Sequence, residues 1–251
     1  FLVLILGIVI FGGVKRIAGT AQLIVPFLTV GYVLVCGIVI AANISEFGAV
    51  FSLIFSSALS FDSTFGGIVG SAIAWGIQRG AFSNAAGFGS ETFESGAAEV
   101  SHPAKQGLVQ ALSVYIDTLV ICTATGLMIL FTGSYNVLNP NGGTIINNIG
   151  EREAGAINTQ LAVEGVLPGF GGPFIAIAIF FFAFTSLITY AYKSETSLAY
   201  INSNKEHQVK WPLTVLKIVF LGFVFYSSTN SASLAWAMGD LGFGTMTWLN
   251  L

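Results

Sequence analysis

Long apolar stretches alternate with short polar ones along this chain. The apolar stretches, in order, are 1–11, 21–42, 47–78, 104–131, 173–192, 212–228 and one that begins near Ala232. An α-helix rises about 1.5 Å per residue, so about 20 residues cross a hydrocarbon core about 30 Å thick. The pattern therefore predicts five complete transmembrane helices and two incomplete ones. We expect an internal fragment of a longer protein, truncated at both ends.

The polar stretches predict which side of the membrane each connection faces. If the spans alternate in direction, eight of the nine Lys and Arg residues fall on one side, and only Arg152 falls on the other. Such an excess of basic residues is typical of cytoplasmic connections. We therefore expect residues 12–20, 79–103 and 194–211 to be cytoplasmic loops and residues 132–172 to be a long external loop.

Composition indicates a membrane-embedded protein. Only 8% of the residues are charged and 54% are hydrophobic, whereas a soluble domain carries about 25% charged residues. So few charges cannot cover a water-facing surface around 251 residues. We predict an all-α transmembrane helical bundle in which residues 1–251 form a single domain that passes several times through the membrane.

The sequence lacks the usual signals of an enzyme. It has no phosphate-binding loop and no Gly-x-Ser-x-Gly motif, and His102 and His207 lie far apart in polar stretches. Cys36 and Cys122 lie inside apolar stretches, where single thiols pack as small apolar groups. We expect no enzymatic activity, no cofactor and no nucleic-acid partner. A short helix is expected around residues 91–100, with three glutamates on a solvated face: Glu91, Glu94 and Glu99.

The third apolar stretch is interrupted in its middle. Residues 60–70 (SFDSTFGGIVG) place a carboxylate, hydroxyls and paired glycines at mid-membrane depth. Unwound backbone at that depth must be buried in protein or line a cavity, and transporters build substrate sites from such broken helices. The alternative is a Gly-xxx-Gly helix contact through Gly66 and Gly70. The substrate-binding candidates are Asp62, Thr64, Phe65, Gly66 and Gly67.

The stretch 104–131 carries one carboxylate, Asp117, in its middle. A charge there costs a few kcal/mol on insertion scales and usually persists because it has a function. Four polar residues share one helical face: Gln106, Gln110, Ser113 and Asp117. A second polar stripe runs beside it: Thr118, Cys122 and Thr125. Asp117 either lines an ion or water path or pins a neighbouring broken helix by hydrogen bonds, and in both cases we expect it to face protein.

The uncharged stretch 173–192 contains two adjacent hydroxyls, Thr185 and Ser186. Oxygen ligands suit a hard cation such as Na⁺, so these two residues and Asp117 are the candidate metal ligands. Tyr190, further along the same stretch, is a candidate to border the substrate pocket. The alternative is that the hydroxyls bond to carbonyls four residues earlier, as Ser and Thr often do in membrane helices.

Five motifs follow one another along the chain: RGAFSNAAGFGS at 79–90, HPAKQG at 102–107, YIDTLVICTAT at 115–125, FAFTS at 182–186 and WAMGDLGFGTMTWLNL at 236–251. In this order they resemble the sodium:alanine (alanine or glycine:cation) symporter family. The resemblance implies a leucine-transporter-type fold with two inverted five-helix repeats, of which this chain would hold about the fourth to the tenth helices. The interrupted stretch would be the sixth helix. Thr185 and Ser186 would lie on the eighth, where this fold commonly holds Na⁺.

The resemblance also implies a function. The protein would be a secondary active symporter that couples inward movement of Na⁺ to uptake of a small neutral amino acid, alanine or glycine, across the lipid bilayer. Residues 1–251 would be a single transmembrane transporter domain in the plasma (inner) membrane. Na⁺ would be the coupling ion. The alternatives from other classes are a cation channel, which needs a continuous polar pore, and a non-transporting membrane sensor.

Overall fold

Helices make up most of the chain in the computed structural model, which describes residues 2–59, 74, 76–85, 87–138, 144–152, 155–203, 211–229 and 232–250. The helices are α1 (Leu2–Phe11), α2 (Val14–Ala42), α3 (Phe47–Leu59), α4 (76–83), α5 (Thr92–Ala97), α6 (Pro103–Tyr115), α7 (Thr123–Phe131), α8 (Ala156–Val166), α9 (Gly171–Asn202), α10 (Trp211–Ser227) and α11 (Ala232–Asn250). A short 3₁₀ turn, Ile44–Glu46, precedes α3, and a π-helical segment, Ile116–Cys122, joins α6 to α7. The prediction of a helical protein is confirmed.

Three stretches of described helix are long and apolar enough to cross a membrane: Gly19–Ala42, Pro103–Phe131 and Gly171–Asn202. The predicted spans 21–42, 104–131 and 173–192 lie inside these helices. Shorter apolar helices cover Leu2–Phe11, Ile44–Ser56 and Trp211–Ser227. The substrate-binding candidates of the interrupted stretch, from Asp62 to Gly67, lie outside the described residues.

The predicted basic turn at residues 12–20 is shorter than expected, because α2 already begins at Val14. Gly13 has φ +80°, a left-handed conformation that ends a helix readily when no Cβ is present. Arg16 donates from Nη1 to the carbonyl oxygen of Ile8 at 3.1 Å. That carbonyl belongs to the last turn of α1, where backbone acceptors lack a partner within the helix.

Helix α9 extends well beyond the predicted span, to Asn202. Ser194 and Ser197 donate their hydroxyls to the carbonyls of Tyr190 and Lys193, at 2.8 and 2.9 Å. A change from apolar to polar side chains does not end a helix, whereas Gly or Pro often does. The predicted loop at 194–211 is therefore wrong over its first nine residues.

The stretch 132–172 contains regular structure where a polar loop is predicted. Strands β1 (Asn136–Leu138) and β2 (Thr144–Asn147) pair antiparallel, with Val137 opposite Ile146. Helix α8 packs against α7 and buries Ala162 and Val163 completely. These elements are too short to stand out as periodic apolar patterns.

The chain forms two compact units. Unit 1 contains residues 1–27, 85–110 and 180–251, and unit 2 contains residues 28–84 and 111–179. The core of unit 1 is apolar and comes from α1, α2 and α9: Leu6, Val9, Ile10, Ile17, Phe184, Ile188 and Ala191. In unit 2, the Tyr32 hydroxyl lies 2.9 Å from Thr125 Oγ1, and the Tyr32 ring stacks on Phe174 at 6.1 Å between centroids.

Glu164 secures the start of α9 within unit 2. Its Oε1 accepts the Gly169 N–H at 2.6 Å, and its Oε2 accepts the Gly171 N–H at 2.9 Å. A carboxylate at a helix N-terminus satisfies free backbone donors and interacts favourably with the helix dipole. A Cβ at Gly171 would lie 2.6 Å from the Gln160 carbonyl oxygen and 2.8 Å from the Glu164 amide nitrogen. The α8–α9 connection therefore requires glycine at this position.

We expect Gly171→Ala to lower the free energy of unfolding by about 1–3 kcal/mol, because backbone atoms must move to admit the methyl group. Thermal melting of the purified protein in detergent measures the effect. Gly172→Ala is the matched control, since its Cβ would meet only Gln160 Nε2 at 3.5 Å. Equal melting temperatures for the two variants would contradict this account.

Candidate ion and substrate site

Asp117 lies on the π-helical segment of unit 2 and receives two side-chain contacts. The Ser83 hydroxyl donates to Asp117 Oδ2 at 2.7 Å, and Cys122 Sγ approaches the same oxygen at 3.8 Å. The residue is half-buried. Ser83 is the last residue of α4, so the carboxylate ties the middle of a membrane-length helix to the end of another helix.

The π-helical segment changes which side chains are neighbours. The Thr123 amide reaches back to the Thr118 carbonyl, and the Thr123 hydroxyl donates to that same carbonyl oxygen at 2.9 Å. This five-residue register is the mark of a π-turn, which occurs frequently at functional sites. It brings Cys122 beside Asp117, although regular α-helical spacing places the two on separate polar stripes. The predicted division into two stripes is wrong at this point.

Asn84 adds a second link between the end of α4 and the π-helical segment. Its Nδ2 donates to Thr118 Oγ1 at 2.9 Å and to the Gly80 carbonyl at 3.0 Å. The next residue, Ala85, has φ +50°, an uncommon conformation for a residue with a Cβ. The chain therefore turns sharply straight after the two residues that hold α4 in place.

The hydrogen bond from Ser83 is the kind of contact that the pinning interpretation of Asp117 requires. The contacts of Ser83 and Cys122 both fall on Oδ2, so Oδ1 receives neither of them. A carboxylate has capacity for about four acceptor contacts. One oxygen can therefore hold α4 while the other binds a cation, and the two interpretations are compatible.

Thr185, in unit 1, uses its hydroxyl hydrogen within its own helix. Oγ1 lies 3.0 Å from both the Phe181 and the Phe182 carbonyl oxygens. The Thr185 hydroxyl therefore donates to backbone carbonyls of its own helix, as the alternative interpretation of this residue predicts. The hydroxyl lone pairs are not consumed by donating, so the oxygen retains the capacity to coordinate a cation. Ser186 is exposed and Thr185 is half-buried.

A cavity of about 270 Å³ lies in unit 1 beside the same helix. It has room for several waters or a small amino acid, since a water takes about 30 Å³ in the liquid. Its walls come from α2, α5 with the residue after it, and α9: Ile17, Ala21, Glu94, Ala97, Ala98, Thr189 and Tyr192. Tyr190, the predicted pocket residue, is not among them. Tyr190 is 42% exposed, and Lys193 Nζ lies 5.7 Å from its ring centroid.

Lys193 connects α9 to the acidic wall of this cavity. Its Nζ lies 3.4 Å from Glu91 Oε1 and 3.1 Å from Glu94 Oε1, and its side chain is only 13% exposed. These two glutamates are therefore ion-paired and do not form the predicted solvated face. Among the ion pairs of the described residues, one ammonium thus contacts two carboxylates. Lys193 and Glu91 are 102 positions apart, so the sequence pattern does not indicate their pairing.

A second ion pair lies deeper in unit 1. Lys217 Nζ contacts Glu195 Oε2 at 3.2 Å, and the two side chains are 14% and 15% exposed. The same ammonium donates to the Ile10 carbonyl at 3.0 Å and lies 5.5 Å from the centroid of the Phe11 ring. A cation at the C-terminal end of α1 interacts favourably with the helix dipole. Lys217 thus joins α1, α9 and α10.

Sequence reasoning missed three features of these sites, which are the Ser83–Asn84 contacts, the π-helical register and the two lysine-centred ion pairs. Ser83 and Asn84 lie in the RGAFSNAAGFGS motif, and their signal is a polar pair placed just before a Gly-rich segment. Asp117, by contrast, is found readily from sequence, because a single carboxylate in a long apolar stretch is rare.

Membrane-length apolar helices, one of which carries a carboxylate, indicate an integral membrane protein. The chain belongs to the sodium:alanine symporter family, whose profile matches residues 1–251. This is a family of transporters and not of enzymes, as the sequence predicts.

Three relatives illustrate the likeness. A Bacillus subtilis (strain 168) protein, YrbD, provisionally named a sodium/proton-dependent alanine carrier, is 55% identical over 250 residues and matches 100% of this chain and 51% of its own length. The sodium/proton-dependent alanine carrier protein of Bacillus sp. (strain PS3) is 53% identical, matching 100% and 56%. The sodium/alanine symporter AgcS of Methanococcus maripaludis is 34% identical, matching 97% and 50%. The chain spans about half the length of these relatives.

Proposed function

We propose that the whole protein is a secondary active symporter that couples inward movement of Na⁺ to uptake of a small neutral amino acid, alanine or glycine. The observation that carries the proposal is the 53–55% identity, along the entire chain, to proteins named as sodium/proton-dependent alanine carriers. The proposed location is the plasma (inner) membrane. The segments 12–20 and 79–103, and the part of 194–211 beyond α9, would be cytoplasmic.

The proposed architecture is the leucine-transporter-type inverted repeat, with this chain supplying about its fourth to tenth helices as part of one transporter domain. Thr185 and Ser186 would ligate Na⁺, and Asp117 would couple to the ion through the carboxylate oxygen that Ser83 does not contact. Asp62, Thr64, Phe65, Gly66 and Gly67 would form the substrate pocket through their backbone, bordered by Tyr190. Each Na⁺ moved through about 100 mV supplies about 2.3 kcal/mol before its concentration gradient is counted.

The proposal is tested by purifying the whole protein, reconstituting it in lipid vesicles and measuring uptake of labelled alanine and glycine. An inward Na⁺ gradient should drive accumulation, whereas an equal K⁺ gradient should not. A third set of vesicles carries only a proton gradient, because two of the relatives have names that include protons as well as sodium. Absence of Na⁺-driven uptake of either amino acid would contradict the proposal.

We expect Thr185→Ala and Ser186→Ala each to raise the Na⁺ concentration for half-maximal uptake about tenfold, which is about 1.4 kcal/mol of lost cation affinity. The reason is that each change removes one hard oxygen ligand from the proposed Na⁺ site. Ser197→Ala is the control, since its hydroxyl bonds to the Lys193 carbonyl of the same helix. If both variants keep wild-type Na⁺ activation, these hydroxyls serve packing alone.

A further inference from the structure

Ser83, the last residue of α4, and Asn84, which follows it, contact two consecutive residues of the π-helical segment. Ser83 donates to Asp117 Oδ2 at 2.7 Å, and Asn84 donates to Thr118 Oγ1 at 2.9 Å. Both contacts bridge 34 positions of the sequence. Two hydrogen bonds between consecutive residues fix both the rotation of α4 about its axis and its distance from the π-helical segment. The end of α4 is therefore held in a single register against Asp117.

The two donors act on the part of the helix whose geometry is least regular. In the π-helical segment the Thr118 carbonyl accepts from the Thr123 hydroxyl, and Asp117 Oδ2 is shared by Ser83 and Cys122. A hydrogen bond to a charged carboxylate is short and strong. Ser83 therefore sets the rotation of the carboxylate, while Asn84 holds the adjacent Thr118 side chain.

We infer that Ser83 and Asn84 are positioning residues that orient the Asp117 carboxylate so that its second oxygen faces the coupling cation. This inference rests on the proposed function. Helix α4 follows the predicted substrate segment, 62–67, in the sequence. The two bonds therefore link the helix that follows the substrate candidates in the sequence to the carboxylate proposed to respond to the ion, and all four bonded residues belong to unit 2.

The first test compares the Na⁺ dependence of uptake in Ser83→Ala, Ser83→Thr and Ser56→Ala forms of the whole protein. We expect Ser83→Ala to raise the Na⁺ concentration for half-maximal uptake about tenfold while the maximal rate changes less than about twofold. Ser83→Thr keeps the hydroxyl and should restore the wild-type value. Ser56→Ala is the matched control, because its hydroxyl bonds only to the Leu53 carbonyl in its own helix among the contacts described.

The second test asks whether Asn84 acts through Thr118. Asn84→Ala, Thr118→Val and the double variant are compared for half-maximal Na⁺ concentration. If the bond between these side chains carries the effect, either single change should have about the same effect as both together. Effects that multiply in the double variant would overturn the assigned role of Asn84.

A readout that does not depend on transport separates this inference from the proposed function. Cys122 lies beside the oxygen that Ser83 contacts, so the alkylation rate of its thiol by N-ethylmaleimide reports the local arrangement. Mass spectrometry of the Cys122 peptide follows the rate in the same variants. We expect Ser83→Ala to change the rate about threefold or more, whereas Ser83→Thr and Ser56→Ala leave it unchanged.

The outcomes are distinguishable. If wild-type uptake ignores Na⁺, the proposed function fails and the inference that rests on it fails with it. If wild-type uptake requires Na⁺ but Ser83→Ala matches wild type in both Na⁺ dependence and Cys122 alkylation, the symport stands and the positioning role is overturned. If Ser83→Ala merely melts earlier with unaltered Na⁺ dependence, the contact is structural and the inference is likewise overturned.

Discussion

Asp117→Asn should yield folded protein in which uptake of the amino acid no longer depends on Na⁺. The amide keeps the size of the side chain, and its oxygen still accepts the hydrogen bond from Ser83, which lies 2.7 Å from Asp117 Oδ2. The change removes the negative charge that would attract the cation. We expect the ratio of uptake at saturating Na⁺ to uptake without Na⁺ to fall at least about a hundredfold, because a charged partner in a low-dielectric site contributes several kcal/mol. Uptake at saturating and zero Na⁺ measures the loss.

Two further variants show what the Asn result means. Asp117→Leu should also reduce the yield of folded protein, because the Ser83 donor loses its acceptor. Glu151→Gln removes a carboxylate at an exposed position of the connection before α8 and should leave Na⁺ activation unchanged. Normal coupled uptake by Asp117→Asn would restrict Asp117 to pinning α4, and the ion site would then depend on Thr185 and Ser186.

Lys217→Met should destabilise the protein by about 2–4 kcal/mol. The ammonium holds Glu195 at 3.2 Å and the Ile10 carbonyl at 3.0 Å, and the Lys217 and Glu195 side chains are 14% and 15% exposed. Removing one partner leaves the other charge poorly solvated, which is the costly way to break a buried pair. Thermal melting of the detergent-solubilised protein measures the loss.

The double variant Lys217→Met, Glu195→Met is the informative comparison. It removes both charges, so we expect it to recover most of the stability lost by the single change. Lys105→Met is the surface control, since Lys105 is exposed and donates to the Ser101 hydroxyl, four residues earlier. Its effect should be under about 0.5 kcal/mol. A single Lys217 variant that melts like the Lys105 control would show that the ion pair does not hold the three helices together.

The membrane-length helices can be predicted from the sequence because uncharged apolar runs of about 20 residues occur mainly where a chain crosses a bilayer. Asp117 can be found by the same logic, as an expensive charge inside such a run. Its neighbours cannot be found that way. The predicted stripes assume about 3.6 residues per turn, whereas the Thr118–Thr123 bond sets a five-residue register that brings Cys122 to Asp117.

Other features cannot be predicted because they depend on contacts between residues that are distant in the sequence, or on local packing. The polar end of α9 is helical to Asn202, and Lys193 contacts Glu91, which lies 102 positions earlier in the sequence. Helix α8 is stabilised by packing and the β-hairpin by strand pairing, and neither contact can be read from the polar sequence of this stretch. The hydrogen bonds of the Thr185 hydroxyl to backbone carbonyls agree with the alternative predicted from the sequence. They leave the hydroxyl oxygen able to accept a cation, so they do not decide between packing and ion binding.

Symport requires that the ion and the amino acid move together, and a Na⁺ flux evoked by alanine reports this coupling without any variant. Vesicles that contain the whole protein hold equal Na⁺ concentrations on both sides, and the external Na⁺ is radioactive. Na⁺ uptake is then measured with an inward alanine gradient and without alanine. Because coupling is reciprocal, we expect alanine to drive Na⁺ inward and Na⁺ to move little without it. Rapid Na⁺ flux that is independent of alanine would indicate a channel, and alanine movement without Na⁺ would contradict symport.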